Sequence, residues 1–253
     1  MSITLTGTTA LVTGASGGIG AATALSLAAQ GANVALVARR KDRLDELVER
    51  IQAGGGAARA IQADITDRLQ AVAAVEQTVA AFGGLDTLVN NAGIMLLGPV
   101  ESAPAEEWDR MIAINVQGLL HATHAALPHL LAAAGGARGT ADIVNISSLA
   151  GRVPIAGSAV YSLTKHGIGA FSEALRQEVG DRHVRVSLIE PGPVATELFT
   201  HIRPEVLEAG KDAFANATLL HAEDIADAIT YVVTRPARVV MSEMLVRPDG
   251  SVW

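Results

Sequence analysis

Tyr161 and Lys165 are the two side chains whose types and spacing most directly indicate chemistry. They lie four residues apart in a helical pattern that begins near Ser158, so both project from one face of the predicted helix. A phenol has a pKa of about 10, and lowering it to about 7 requires roughly 4 kcal/mol. One ammonium at about 4 Å supplies that energy at an effective dielectric constant near 20. We therefore predict that Lys165 lowers the pKa of Tyr161 enough for proton exchange at neutral pH; the alternative is a surface tyrosine packed along a lysine stem.

Ser148 ends a predicted strand thirteen residues before Tyr161. A hydroxyl at that edge of a sheet can donate a hydrogen bond to a substrate oxygen that gains negative charge during a reaction. Ser147, one residue earlier, should point to the other side of the strand and bond to the backbone. A serine pair that ends a strand is also a common turn feature, so Ser148 indicates chemistry only together with Tyr161.

Residues 13–20 read TGASGGIG and lie between the first predicted strand and the first predicted helix. Gly14, Gly18 and Gly20 permit positive φ angles and a close approach of the backbone to a pyrophosphate, and a helix N-terminus presents free amides to an anion. The segment predicts a dinucleotide-binding loop, although its glycine spacing differs from the commonest fingerprint. The alternative is a plain turn.

Two arginines follow the second predicted strand, where many NAD-binding proteins carry an acidic residue for the ribose hydroxyls. Arg39, and secondarily Arg40, can form charge-assisted hydrogen bonds to a 2′-phosphate, each of roughly 1.5 to 3 kcal/mol. We therefore predict NADP(H) rather than NAD(H) as the cofactor. Solvated surface charge at a helix start is the alternative.

Two further segments are predicted to border the cofactor. Asp64, followed by Ile65, comes after the third strand and either receives the adenine amino group or caps the helix that begins near Asp67. The sequence NNAG at residues 90–93 ends the fourth strand at the sheet edge where ligands of α/β proteins bind. Its small residues admit a cofactor, and one of its asparagines could instead hold strand backbones together.

Short β-branched runs alternate with longer helical patterns along the whole chain, which is typical of a parallel sheet buried on both faces. We predict a single α/β domain over residues 1–253, a doubly wound Rossmann fold with a seven-stranded parallel sheet flanked by helices on both faces. The proline-containing stretch at about 193–220 is too long for an ordinary connection and predicts a lid over the substrate. The predicted strands are TTALVT from Thr8, NVALVA from Asn33, AARAIQ from Ala57, LDTLVN from Leu85, ADIVNIS from Ala141, VRVSLIE from Val184 and EMLVRP from Glu243.

Composition excludes several classes of protein. The 253 residues are 49% hydrophobic and 18% charged, which excludes a disordered or collagenous chain. The formal charge of −7 argues against nucleic acid as a partner. There are no cysteines, no apolar run near the roughly 18 residues of a membrane span, and no secretion signal in the first residues, so we expect a cytoplasmic protein without a membrane partner. His121, His124 and His129 have no acidic residue at a ligand spacing, so no metal site is predicted.

The combined motifs resemble, in order and spacing, the short-chain dehydrogenase/reductase family over essentially the whole chain. They are TGASGGIG, Asp64, NNAG, Asn115, Ser148, Tyr161 with Lys165, and PGPVAT at residues 191–196. The resemblance implies a catalytic tetrad of Asn115, Ser148, Tyr161 and Lys165, and a homotetramer assembled through two long helices, at about Ala105–Ala133 and Ser158–Gly180. Within the family, NNAGIMLLGPVE, FSEALRQEV and MLVRP look most like the NADP-dependent branch that contains clavulanate dehydrogenase and serine dehydrogenase.

The family resemblance also implies how the cofactor is held. Thr196 would lie near the nicotinamide carboxamide, Lys165 would hold ribose hydroxyls, and Asn115 would anchor a water that passes protons to the lysine. The predicted cofactor-binding residues are Gly14, Ser16, Gly18, Ile19, Gly20, Arg39, Arg40, Asp64, Ile65, Asn91, Ala92, Gly93, Tyr161, Lys165, Pro191, Gly192, Val194 and Thr196.

The function implied is hydride transfer between the nicotinamide and a small carbonyl or alcohol substrate, with Tyr161 giving or taking the proton. A non-catalytic NADP sensor on the same fold is the alternative. We expect the substrate pocket in residues 95–100, 149–157 and 194–220. Its apolar candidates are Val153, Ile155, Leu198, Phe199 and Ile202, with Met95–Leu97 either there or in the core. Arg152, His201 and Arg203 either meet a substrate carboxylate or face water.

Overall fold

A parallel β-sheet of seven strands organises the protein, and the strand order is β3-β2-β1-β4-β5-β6-β7. The structure is a computed structural model that describes residues 4–209 and 218–250. The predicted seven-stranded sheet is confirmed, with end positions that differ by at most two residues. The strands are β1 (Thr9–Thr13), β2 (Asn33–Ala38), β3 (Ala57–Gln62), β4 (Thr87–Asn90), β5 (Ala141–Ile146), β6 (Val184–Pro191) and β7 (Glu243–Val246).

The central strands are buried along their full length because helices cover both faces of the sheet. Strands β1, β4, β5 and β6 expose none of their residues, which explains why their sequences read as continuous rather than alternating apolar runs. Edge strand β3 instead alternates exposed positions with half-buried or buried ones. One apolar core lies on one face of the sheet and includes the helical residues Leu27 and Ile229. A second core lies on the opposite face and includes Leu130 and Leu175.

Helices lie between consecutive strands, as the parallel pairing of the strands requires. They are α1 (Gly18–Ala29), α2 (Lys41–Ala53), α3 (Arg68–Phe82), α4 (Ala105–Met111), α5 (Leu119–Ala134), α6 (Ala159–Val179), α7 (Pro204–Ala209) and α8 (Ala222–Val233). Short 3-10 helices follow at Leu149–Gly151, Gly180–Arg182 and Glu197–His201. The helix predicted at about Ala105–Ala133 is present, but its middle, Ile112–Gly118, is π-helical and joins α4 to α5.

The strand order reverses between β1 and β4, which are direct neighbours although two strands separate them in sequence. From this point the chain builds outward in both directions. In open α/β sheets such a reversal leaves a crevice at the carboxyl ends of the strands. The residues that follow β1 and β4 are the glycine-rich loop and the NNAG segment, so the topology brings both predicted cofactor motifs to one crevice.

A buried ion pair holds the opposite, amino-terminal edge of the sheet. Asp142 and Arg185 are cross-strand partners in β5 and β6, and Arg185 Nε donates to Asp142 Oδ1 at 2.7 Å. The same guanidinium donates to the carbonyls of Val233 at 3.2 Å and Val239 at 2.9 Å, so it ties α8 and the approach to β7 to the sheet. Arg138 adds a second contact to the same carboxylate at 2.7 Å.

Replacement of Arg185 by methionine should destabilise the protein by about 3 to 5 kcal/mol, because a buried carboxylate and several carbonyls lose their partner. Urea unfolding followed by circular dichroism measures this loss. The variant Arg176→Met, which removes a solvent-exposed pair with Glu173, should lose far less. Equal stabilities of the two variants would contradict the structural role of Arg185.

Candidate active site

A cleft of about 820 Å³ opens at the carboxyl edge of the sheet, above the β1–β4 reversal. Every predicted cofactor-binding residue lines this cleft except Gly20. Of the predicted tetrad, Ser148, Tyr161 and Lys165 line the cleft, whereas Asn115 is buried behind it. The sequence motifs therefore converge on one cavity, which the fold places where α/β proteins bind their ligands.

The glycine-rich loop is built for close backbone packing and for an anion. Gly14 has a φ of +66°, and a Cβ atom there would come within 2.8 Å of Ala92 Cα, so no other residue fits without a shift. A Cβ on Gly20 would collide with the carbonyl oxygen of Gly14, so Gly20 packs the helix against the loop rather than facing the cleft. Helix α1 begins after Gly17 with no side chain capping its first turn, which leaves its amides available to a phosphate.

The hydroxyl of Thr13 joins the glycine-rich loop to the NNAG segment. Thr13 Oγ1 accepts hydrogen bonds from the amides of Asn91 at 3.0 Å and Ala92 at 3.1 Å, and donates to Val89 O at 3.3 Å. Asn91 Nδ2 returns a bond to Thr13 O at 3.0 Å. This bridging role of Thr13 was missed in the sequence, where a threonine at a strand end carries no distinctive signal.

The first asparagine of NNAG acts between strands. Asn90 Nδ2 donates to Asn145 Oδ1 on β5 and to Thr123 Oγ1 on α5, both at 2.9 Å. Since Asn91 bonds to the glycine-rich loop, both asparagines hold backbone segments in place, while Ala92 and Gly93 leave room beside the cleft. The alternative that an asparagine holds strands together therefore describes Asn90.

The two candidate phosphate-binding arginines differ in their surroundings. Both are exposed and line the cleft. Within residues 4–209 and 218–250, the guanidinium of Arg39 makes no hydrogen bond or ion pair. Arg40 is held by Ser16, with Nε donating to Ser16 Oγ at 3.1 Å, and by Glu197, at 2.8 Å from Nη1.

One of the two predictions for Asp64, that it caps helix α3, is wrong. Its Oδ1 accepts from the amide of Thr66 at 3.0 Å and from the Thr66 hydroxyl at 2.7 Å, so it closes its own turn. Asp67 caps α3 instead, accepting from the amides of Leu69 at 2.8 Å and Gln70 at 3.2 Å. The contact of Asp64 with an adenine stays a prediction.

Tyr161 and Lys165 are both buried on the inner face of α6. Lys165 Nζ lies 5.7 Å from the centre of the Tyr161 ring and donates to Ile146 O at 2.8 Å, at the end of β5. Ser147 donates to Lys165 O at 3.0 Å, which is the backbone role predicted for it. Ser148 is hydrogen-bonded to Tyr161.

Burial decides the protonation of this pair. Desolvation raises the pKa of Tyr161 to about 12, and the hydrogen bond with Ser148 only partly opposes it. Desolvation likewise lowers the pKa of Lys165 to about 8. The prediction that Lys165 brings the pKa of Tyr161 down towards neutrality is therefore wrong here. The four-residue spacing does not include the cost of removing both groups from water, and that cost is the largest contribution to the pKa shift of each.

Asn115 lies in the π-helical segment, a feature that is often found at functional sites. Its Oδ1 accepts from Ile94 N at 2.8 Å, and its Nδ2 donates to Ile94 O at 2.9 Å and to Thr164 Oγ1 at 3.2 Å. Thr164 in turn donates to Tyr161 O at 2.7 Å, so the asparagine is linked to the helix that carries the tyrosine. A Cβ on Gly93 would lie 3.4 Å from Asn115 Oδ1 and 3.8 Å from Lys165 Nζ. Asn115 and Lys165 thus border the same small space.

The remainder of the cleft is predominantly apolar. Arg152 pairs with Glu190 at 2.6 Å and with Glu243, and Arg203 pairs with Glu107 at 3.1 Å; neither arginine lines the cleft. Of the three predicted contacts for a carboxylate, only His201 lines it. Ile202 is buried elsewhere. The apolar side chains that line this part are Met95, Leu97, Val153, Ile155, Leu198 and Phe199.

The segment predicted as a lid is joined at its two ends. The amide of Ala195 donates to Leu220 O at 2.8 Å, and the amide of Leu220 donates to Pro193 O at 2.9 Å. Residues 210–217 of the predicted lid lie outside the described residues. The lid and the single-domain extent over residues 1–253 both stay predictions.

The histidines of α5 have ordinary polar contacts. His121 Nδ1 is 3.1 Å from Ile65 O, and His129 Nε2 is 3.2 Å from Glu76 Oε1. Across the described part of the chain, no three side chains of the metal-ligating types come together. No helix in that part is both long enough and apolar enough to cross a bilayer.

Comparison with known proteins assigns the family. A family profile described as short chain dehydrogenase matches residues 8–207. The chain belongs to the short-chain dehydrogenase/reductase family. The family resemblance seen in the sequence is therefore confirmed, and this short-chain dehydrogenase/reductase is a member of an oxidoreductase family. The narrower likeness to clavulanate dehydrogenase and serine dehydrogenase stays a prediction.

Individual members of the family resemble the chain over most of its length. Sulfoacetaldehyde reductase 2 of Chromohalobacter salexigens is 36% identical over 245 residues, covering 96% of this chain and 95% of that protein. Glycine betaine reductase ATRR of Emericella nidulans is 37% identical over 244 residues, and this chain spans 19% of its length. The crystal structure of a metagenomic short-chain oxidoreductase in complex with NADP has a TM-score of 0.80 at 34% identity, covering 97% of this chain and 99% of that one.

Replacement of Lys165 by methionine should change how stability depends on pH. Burial lowers the pKa of Lys165 from 10.5 to about 8, so between those values the unfolded chain binds the proton and the folded chain does not. Folding stability of the wild type should therefore rise with pH in this window, by about 1.4 kcal/mol per unit from this group. The variant should lack this contribution of roughly 2 to 3 kcal/mol between pH 8 and pH 10.

Urea unfolding at several pH values measures this difference. Lys41→Met, which removes an exposed lysine paired with Asp45, serves as the matched control and should keep the wild-type slope. An unchanged slope in Lys165→Met would show that the buried lysine is not the group that titrates.

Proposed function

We propose that the chain is an NADP(H)-dependent oxidoreductase that interconverts a carbonyl compound and its alcohol, with Tyr161 as the general acid and base. The observation that carries the proposal is the burial of Tyr161 and Lys165 together at the edge of a cleft that the glycine-rich loop also lines. Ser148 is bonded to the phenol in the same place. A group that donates a proton thus lies within one cavity with a site suited to a pyrophosphate.

The described residues fit a dinucleotide. The uncapped first turn of α1 offers amides to the pyrophosphate, and Gly14 keeps the loop close to Ala92 without filling the cleft. Arg39, whose guanidinium has no partner among the described residues, is available to a 2′-phosphate. Thr196 also lines the cleft, close to Gly18, where an added Cβ would lie 3.1 Å from Thr196 Cγ2. When bound, the cofactor supplies or accepts a hydride at its nicotinamide ring.

Tyr161 is suited to carbonyl reduction in its neutral form. With a pKa of about 12, the phenol keeps its proton throughout the neutral range and can transfer it from Oη to the carbonyl oxygen as that oxygen gains charge. Ser148 is placed to orient the same oxygen through its hydroxyl. Lys165 keeps most of its charge at pH 7, because its pKa is about 8, and is the residue that would hold the ribose hydroxyls of the cofactor.

The cleft beyond Tyr161 favours an uncharged substrate with an apolar body. Apart from His201, the side chains named for this part are apolar, and burying a carboxylate or sulfonate against them without a paired cation is costly. Arg152 and Arg203 are engaged by glutamates away from the cleft. The lid proposed for residues 193–220 would cover this part.

The proposal extends to assembly and location. We propose the homotetramer that the family resemblance implies. Three exposed apolar side chains along the two long helices, Ile112, Leu120 and Leu163, support such an interface. The sequence contains no cysteine and therefore forms no disulfide. This supports the proposed cytoplasmic location, because disulfides are rare in cytosolic proteins and common in secreted ones.

Tyr161→Phe should lower turnover by about 10² to 10⁴-fold, because the variant keeps the shape but loses the transferable proton. NADPH consumption measured by absorbance with a panel of aldehydes and ketones tests this. The dissociation constant of NADPH, from fluorescence titration, should stay within about twofold since the ring remains. Tyr231→Phe, at the other tyrosine of the chain, which is exposed on α8, is the control. Retained turnover in Tyr161→Phe would refute the assignment of Tyr161. Turnover by the wild type that this variant lacks would distinguish an enzyme from an NADP sensor.

Arg39→Ala should lower the preference for NADPH over NADH at least about tenfold, because its guanidinium is the main predicted phosphate contact. Initial rates with each cofactor give the ratio of kcat/KM values. Arg43→Ala, a solvent-exposed arginine further along α2 that pairs with Glu46, should leave the ratio unchanged. Equal losses with NADPH and NADH would move the phosphate contact to Arg40 or Ser16.

A further inference from the structure

Arg40 spans the glycine-rich loop and is engaged on both sides. Its Nη1 lies 2.8 Å from Glu197 Oε2, and its Nε and Nη2 each donate to Ser16 Oγ at 3.1 Å. Nη2 also donates to Ser16 O at 3.2 Å. The pair lies directly over Gly17, where a Cβ would be 3.2 Å from Arg40 Nη2 and 3.5 Å from Glu197 Oε2. All four residues line the cleft.

Glu197 is an unexpected group at this position. Its carboxylate occupies an arginine that a 2′-phosphate would otherwise bind. The nearby Arg39 has no such partner among the described residues. The two arginines of the ARR sequence are therefore unequal: Arg39 is available to an anion, and Arg40 must first exchange its carboxylate.

We propose that Glu197 is a specificity-determining residue that weakens the binding of 2′-phosphorylated dinucleotides by holding Arg40. The proposal rests on the proposed use of NADP(H) by this cleft. NAD(H) has a hydroxyl instead of the 2′-phosphate, so it has no anion with which to compete for Arg40. Glu197 thus reduces the preference for NADP(H) over NAD(H) that Arg39 creates, and the choice of cofactor depends on both residues.

Solvent exposure limits the size of the effect. The side chains of Arg40 and Glu197 are 46% and 54% exposed, so water and salt screen their attraction. An exposed pair of this kind corresponds to a change in binding constant of about three- to fivefold. Its removal should therefore tune cofactor preference rather than reverse it.

The location of Glu197 also connects two parts of the cleft. It begins the 3-10 helix Glu197–His201, which carries Leu198, Phe199 and His201 at the substrate end. Thr196, immediately before it, accepts from the amide of Leu198 at 3.4 Å. If Arg40 exchanged Glu197 for a phosphate, Glu197, the first residue of this helix, would lose its contact with Arg40.

The test is direct binding of NADP⁺ and NAD⁺ by isothermal titration calorimetry, without turnover. Four full-length proteins are compared: wild type, Glu197→Gln, Arg40→Met and the double variant. Glu197→Gln should tighten NADP⁺ binding by about three- to fivefold and leave NAD⁺ binding within about twofold. In the Arg40→Met background the same substitution should change NADP⁺ binding by less than about twofold, because Glu197 then has no Arg40 guanidinium to pair with.

Glu205→Gln is the matched control. It removes one negative charge from an exposed glutamate that pairs with Arg203 in the same segment and does not line the cleft. It should leave both dissociation constants unchanged, which separates the specific pair from the general effect of net charge.

Three results would overturn the proposal. Unchanged or weaker NADP⁺ binding in Glu197→Gln would show that the carboxylate does not compete, or that it positions Arg40 for the phosphate. An effect that persists in Arg40→Met would show direct repulsion instead. If the wild type binds neither dinucleotide, the proposed function fails and this inference fails with it, whereas NADP⁺ binding with no effect of Glu197 overturns this inference alone.

Discussion

The site depends on one constraint: Tyr161 and Lys165 are removed from water together on a single face of α6. Desolvation works against the charged form of each group, so it favours a neutral phenol and weakens the hold of the amine on its proton. In the proposed reaction, a pair in this state favours proton donation by the phenol. The phenol holds a proton that it releases only when a neighbouring oxygen becomes basic, as a carbonyl oxygen does when it accepts a hydride.

The surrounding bonds keep this buried pair in place and satisfied. Lys165 is bonded to the end of β5 through Ile146 O, and Ser147 bonds back to the carbonyl of Lys165, so helix and strand hold each other. Asn115 is fixed by Ile94 and Thr164 in a helix that widens to the π form there. These contacts compensate buried polar groups that would otherwise be costly. They also explain why the site is formed by the strand ends and helix faces rather than by loops alone.

Much of the fold could be predicted from local patterns. The buried run NVALVA at Asn33 gave a strand with the observed ends, because a strand covered on both faces must be apolar along almost its whole length. The π-helical turn around Asn115 could not be predicted, since nothing in the local sequence distinguishes it from an α-helix. At the site, residue positions were easier to predict than protonation, because burial depends on the whole fold. The ion-pair partners of long side chains could not be predicted either, because they come from distant parts of the chain: Arg40 pairs with Glu197, which is 157 residues away in sequence.

The ionisation of Tyr161 in the folded protein is the decisive measurement. In the Tyr231→Phe background only Tyr161 remains as a tyrosine, so ultraviolet absorbance of tyrosinate reports this residue alone. At pH 10, where an exposed phenol is about half ionised, we expect almost no tyrosinate, because burial raises the pKa of Tyr161 to about 12. Half-ionisation near neutral pH in the folded protein would contradict this expectation and would restore the lysine-lowered phenol that the spacing alone suggested.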